Sequence, residues 1–136
     1  MTLSGACACN NLSVIWRTVD VSLVPRACQC DYCRGKQVAW VSKQGSAVKL
    51  TALKKALHRV VEQGGAGAQF HECLNCAAVV CVTAEIEGET YGAVNVRCLQ
   101  RAGQFPQPVE TDTSGLGAEE KRARWRANWC CPVQIS

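Results

Sequence analysis

Apolar and polar positions alternate through most of the first hundred residues. Leu12, Val14 and Trp16 fall on one side of an extended chain and Ser13, Ile15 and Arg17 on the other, the period of two expected of a half-buried strand. Val21–Ala27 is a second extended run, with Pro25 marking an edge or a strand end. Val38–Ser42 is a third, and Ala47–Leu50 follows a Gly45-Ser46 turn. Leu57–Gln63 alternates again until Gly64-Gly65-Ala66-Gly67 breaks it. Ala77–Ala84 is an apolar run of strand length; Glu87-Gly88-Glu89 turns the chain and Tyr91–Val96 returns. Thr51–Arg59 reads as a turn followed by a strand. Residues 101–117, rich in Pro, Gly, Thr and Ser, read as a long surface loop. Ala118–Trp129 has good helix formers, with Glu119 and Glu120 early and arginines late, the order that suits a helix dipole. The pattern predicts an all-β fold with one short C-terminal helix.

With 136 residues, the chain predicts a single domain over 1–136, its core at about 4–100 and a C-terminal loop and helix at about 101–136. A hydrophobic share of 48% and a charged share of 19% exclude a disordered tail. The longest strictly apolar stretch is Cys76–Val82, far short of the roughly 20 residues of a membrane-spanning helix. The start of the chain lacks the basic and apolar segments of an export signal, so the expected location is the reducing cytoplasm. Eleven cysteines then point to metal thiolates rather than disulfides, and an odd number cannot all pair internally.

The formal charge is +4, but zinc ions bound by four and three thiolates would bring it to about +1. Lys121, Arg122, Arg124 and Arg126 cluster in one short segment, which reads as a solvated basic helix rather than a nucleic-acid groove.

Three groups of cysteines carry the chemical information: Cys7-Ala-Cys9, then Cys28-Gln-Cys30-Asp-Tyr-Cys33, then Cys73-Leu-Asn-Cys76. A CxC and a CxxC together supply four thiolates, the closed tetrahedral set of a structural zinc. Cys7, Cys9, Cys73 and Cys76 are therefore assigned to one structural ion that ties the N-terminal strand to the middle of the chain. The CxCxxC group, Cys28, Cys30 and Cys33, supplies three ligands and leaves a position for water or a substrate thiolate, the arrangement of a catalytic zinc. A closed second site, completed by His71, Cys81 or Cys98, is the alternative.

These motifs resemble the glutathione-dependent formaldehyde-activating enzyme family, which includes centromere protein V-like proteins. The resemblance rests on Gly5-Ala-Cys7-Ala-Cys9, Cys28-Gln-Cys30-Asp-Tyr-Cys33-Arg34, Phe70-His-Glu-Cys73-Leu-Asn-Cys76 and Val94-Asn-Val-Arg97-Cys98-Leu99, with Lys121-Arg122-Ala-Arg124-Trp125 resembling an arginine-rich closing segment. It implies an Mss4-like (β-tent) all-β fold of two packed sheets, a structural zinc at the CxC-plus-CxxC set, and a second, more labile zinc on the triad near a glutathione site. The implied activity is condensation of formaldehyde with glutathione to S-(hydroxymethyl)glutathione, a carbon–sulfur lyase class. The chain departs from the family pattern at Asn10 and Ala77, where glycines are usual, at Gln29, where a histidine is frequent, and at Glu72, where an aromatic is common.

Glutathione carries two carboxylates, so its site needs Arg or Lys; Arg34, Lys36 and Arg97 are the candidates nearest the motifs, each with surface charge as its plainer reading. His71 and Tyr32 are candidates for the acid that protonates an alkoxide. Asn95 reads as a polar residue satisfying strand-end backbone, Trp16 and Trp40 as core, and His58 as an ordinary strand residue. Two further functions compete: a non-enzymatic zinc-binding interaction module, and a methionine sulfoxide reductase-like protein using Cys81, Cys98, Cys130 or Cys131 as a free nucleophile.

Overall fold

The computed structural model describes residues 1–136. Its elements in chain order are β1 (Leu3–Ala6), β2 (Leu12–Trp16), β3 (Arg26–Cys28), α1 (Asp31–Lys36), β4 (Trp40–Val41), β5 (Val48–Ala52), β6 (His58–Gln63), β7 (Ala68–Cys73), β8 (Val79–Ile86), β9 (Glu89–Asn95), β10 (Val109–Thr111), α2 (Ala118–Asn128) and β11 (Val133–Ile135). They form a four-stranded sheet in the order β1-β2-β5-β11 and a seven-stranded sheet in the order β10-β3-β4-β9-β8-β7-β6. Both sheets are mixed: β11 runs parallel to β5 and β10 parallel to β3, and the other pairs are antiparallel.

Strand alternation sets the core. In β2, Leu12, Val14 and Trp16 are buried while Ile15 faces out, and β5 answers them with Val48, Leu50 and Ala52. These residues join Val41, Val80 and Val94 of the larger sheet in one cluster between the sheets. A second cluster lies on the larger sheet around Trp40, Phe70, Val82, Ala84 and Ala93, with Cys33 from α1 and Trp129 from the end of α2. The central strand β8 feeds both clusters, so its sequence is apolar nearly throughout rather than alternating.

The C-terminal segment stitches the two sheets together. Gly92 in β9 and Cys130 exchange backbone hydrogen bonds of 2.9 and 2.8 Å, and three residues later β11 joins the other sheet. A Cβ at Gly92 would stand 2.8 Å from the Val82 carbonyl, so this close approach needs glycine.

Several sequence expectations are corrected. The Val21–Ala27 run is strand only at its end: Asp20 caps a turn at Ser22, and pairing begins at Arg26, beyond Pro25. Val38–Ser42 shortens to Trp40–Val41. The 101–117 loop contains β10. Helix α1 falls among the predicted strands; at six residues it has no apolar period to read, and the Cys30 sulfur caps it by accepting from the Cys33 N–H. Strand β7 is hidden because a bulge between His71 and Glu72 buries both, which puts polar residues where the pattern expects apolar ones. Ala118–Asn128 is helical as expected. No helix is long and apolar enough to cross a membrane.

Candidate metal centres and an adjoining cavity

The first cluster is built by two tight turns, one from each sheet. Cys7 ends the β1 hairpin arm; its N–H donates to the Leu12 carbonyl at 2.9 Å, its carbonyl accepts from Asn10, and the Leu12 N–H points at its sulfur at 3.3 Å. Cys73 opens the β7–β8 turn, its N–H bonded to Ala78 and its carbonyl accepting from Ala77. The four sulfurs of Cys7, Cys9, Cys73 and Cys76 lie within 4.8 Å of one another, with Cys7–Cys9 at 3.6 Å and Cys9–Cys73 at 3.4 Å. A tetrahedron with zinc–sulfur bonds of about 2.3 Å has edges of about 3.8 Å, so this donor set fits a zinc ion. The electrostatics agree: burial pushes the Cys7 thiol up to about 12, while the Asn75 side chain and the Asn11 N–H hold Cys9 down to about 6. Without a cation the cluster keeps protons that four thiolates around zinc would give up.

The second cluster is local. Cys28 ends β3, Cys30 caps α1, and Cys33 lies inside its first turns, with all three sulfurs within 4.8 Å of one another. No further Cys, His, Asp or Glu ligand atom shares that radius. Hydrogen bonding from Cys33 holds the Cys28 thiol down to about 5, and the same interaction together with burial pushes Cys33 up, opposed by the Trp40 indole. Three soft donors at one point suit the metals that thiolates select.

None of the three candidate fourth ligands is there. The ring of His71 is held between His58 and Thr83, each contact 2.8 Å, and burial and the neighbouring His58 push it down to about 4, so it is neutral at pH 7. His58 is a half-buried residue of β6 whose ring meets that of buried His71. Cys81 is fully buried with its S–H on the Val82 carbonyl. Cys98 sits beside the four-cysteine cluster, where burial and Cys76 push it up to about 11. Cys81 and Cys130 are buried, and all four cysteines outside the clusters have raised pKa values, the opposite of an activated nucleophile. All eleven cysteines are free.

The triad opens onto a cavity of about 350 Å³. Its apolar wall is Trp40, Phe70, Val82, Trp125 and Trp129, the last two stacked at 4.6 Å. Tyr32 lines it as well, packed on Phe70 with ring centroids 4.6 Å apart. The phenol of Tyr32 donates to Glu72, and Glu72 lies 3.8 Å from the Lys36 ammonium. Burial, then this contact, push the Tyr32 pKa up and keep it protonated. Glu72 is buried; it entered the sequence reading only as a missing aromatic.

The cationic residues of the cavity differ from those expected. Arg26, Lys121 and Arg124 line it; Arg34, Lys36 and Arg97 do not. Arg34 projects into solvent, 3.9 Å from Asp31, Lys36 faces Glu72, and Arg97 lies along a separate groove with Pro25 and Phe105. Burial and the charge of Arg124 push the Arg26 guanidinium below its usual range. The basic segment of α2 is therefore not only a solvated face. Arg122 donates to the carbonyls of Ala66 and Glu85, Arg126 pairs with Glu87 at 2.7 Å, and this anchoring sets Lys121, Arg124 and Trp125 on the cavity.

No family model and no curated protein matches the chain. Among solved structures it is similar to a crystal structure of a Rhodobacter sphaeroides protein, with a TM-score of 0.58 at 17% identity, covering 76% of this chain and 98% of that one. At that identity the likeness is one of fold. Taken together, the chain is a mostly β protein of two mixed sheets, with two cysteine clusters that could bind metal ions, consistent with zinc.

Proposed function

We propose that the protein is a zinc-dependent enzyme of thiol–aldehyde chemistry, of carbon–sulfur lyase type and like an S-(hydroxymethyl)glutathione synthase, built on an Mss4-like β-tent fold and working in the reducing cytoplasm. One observation carries this reading: a cluster of three cysteines, with no fourth side-chain ligand, opens onto a cavity large enough for a small thiol. The four-cysteine cluster is the structural site.

When bound at the triad, zinc supplies a positive charge that favours the thiolate of an incoming thiol. The protein's own residues do the rest. Trp40, Phe70, Trp125 and Trp129 keep water from the apolar side of the cavity. As the substrate sulfur bonds to the aldehyde carbon, the carbon–oxygen π pair moves onto oxygen, and that oxygen takes a proton from Tyr32. The proton is replaced through Glu72, which the phenol already contacts, with Lys36 beside it at the surface. The thiol's proton has gone to solvent, so the hemithioacetal forms with atoms and charge balanced.

The test is exchange spectroscopy of labelled formaldehyde with glutathione, with and without zinc-loaded protein. Adduct formation should be faster with the protein, the Cys30→Ser variant should return it to the uncatalysed rate, and Tyr32→Phe should lower it by about 10²-fold. An uncatalysed rate with wild type at full zinc loading would sink the enzyme reading and favour a zinc-binding interaction module.

A further inference from the structure

Arg26 and Arg124 reach the same cavity from different elements, β3 and α2. Neither forms an ion pair, nor does Lys121 beside them; every ion pair of the molecule involves another cation. The Arg26 guanidinium is tied only to the Ser42 hydroxyl, at 2.8 Å. Withdrawing a guanidinium from water next to a like charge is costly unless an anion faces it. The one acidic side chain on the cavity wall, Asp31, is fully solvent-exposed and lies near Arg34. Thr111 and Thr113 add hydroxyl donors to the same wall, and the tryptophans around it lower the local dielectric, which strengthens any pairing made there.

We infer that Arg26 and Arg124 form a carboxylate subsite beside the cysteine triad, so that the cavity selects thiols that carry a carboxylate. This rests on the thiol reading of the triad and deepens it, since it names the residues that read the substrate's carboxylate. A guanidinium pair suits a carboxylate because each oxygen can accept from a separate fork. The other use of these cations would be to offset the thiolates of the triad itself. That use makes no distinction between charged and neutral thiols, so the two roles separate by experiment.

The probes are 3-mercaptopropionate and 3-mercaptopropionamide, which share a skeleton and differ in charge, titrated into the zinc-loaded full chain by calorimetry and by tryptophan fluorescence. Three of the four tryptophans line the cavity, so occupancy has an optical signal. The carboxylate form should bind at least tenfold tighter than the amide. Arg124→Ala should reduce that preference to twofold or less, and Arg124→Glu should reverse it. Arg124 is exposed and unpaired, so both variants should keep the wild-type circular dichroism. Equal affinity of the two probes for wild type, or a preference that survives in Arg124→Ala, would overturn the subsite while the thiol reading stands. Binding of neither probe at full zinc loading would overturn both.

Discussion

Ala77 sits at a φ of 65° and Asn10 at 64°, each directly after the last cysteine of its turn. The left-handed conformation lets each chain double back so that two sulfurs converge. Asparagine tolerates it, whereas an alanine Cβ crowds the following carbonyl at about 1–2 kcal/mol. Ala77→Gly should therefore raise stability by about 1 kcal/mol, after allowing for the greater freedom of an unfolded glycine, measured by denaturant unfolding of the zinc-loaded protein; a lower midpoint would show that the turn is not strained. Glycine would adopt the same conformation at either position without that crowding. Asn95 was legible as a backbone satisfier: its carbonyl oxygen accepts from Ala39 and Arg97 and its amide donates to Val79. The pairing of His58 with His71 was not, because it depends on β6–β7 register across the glycine-rich turn.

Among elements, the two cysteine clusters have unequal structural duties. Cys7 and Cys73 are buried within the cluster that joins the sheets, whereas Cys30 is exposed at the cap of a six-residue helix. A structural zinc contributes about 10 kcal/mol or more of apparent folding energy, comparable to the whole stability of a small domain. Cys73→Ser should leave no cooperative thermal transition under conditions where wild type is folded, while Cys30→Ser should keep one. Equal melting of Cys73→Ser and wild type would refute the assignment. The ligand spacing was legible because CxC and CxxC are local. The cationic wall was not: Arg26 and Arg124 meet only after α2 folds across the larger sheet, and proximity along the chain pointed instead to Arg34, Lys36 and Arg97.

For the molecule as a whole, metal loading is coupled to pH. Cys7 and Cys33 are raised well above neutrality, so each site should release at least one proton on binding zinc at pH 7. Cys9, at about 6, and Cys28, at about 5, are already ionised there. Each must also give up a proton once the pH falls below those values. Zinc affinity should therefore fall as pH falls, more steeply below about 6 at the closed site and below about 5 at the triad. Calorimetry in buffers of different ionisation heat counts the protons; no buffer dependence at pH 7 would contradict the assignment of protonated Cys7 and Cys33. A mild chelator at pH 7 should remove one zinc per chain with the fold intact, since three ligands hold less than four.

The two clusters also differ in how far along the chain their ligands lie. The triad closes within Cys28–Cys33, but Cys9 and Cys73 are 64 residues apart. Closing a long loop costs entropy before any contact rewards it, and such contacts form slowly. During refolding in the presence of zinc, the triad has its ligands together from the outset, whereas the closed site exists only once both hairpins have formed and docked. On the proposed assignment, the ion that should leave most readily from the finished protein is thus the one that should arrive first, and a refolding chain should carry metal before it has a core.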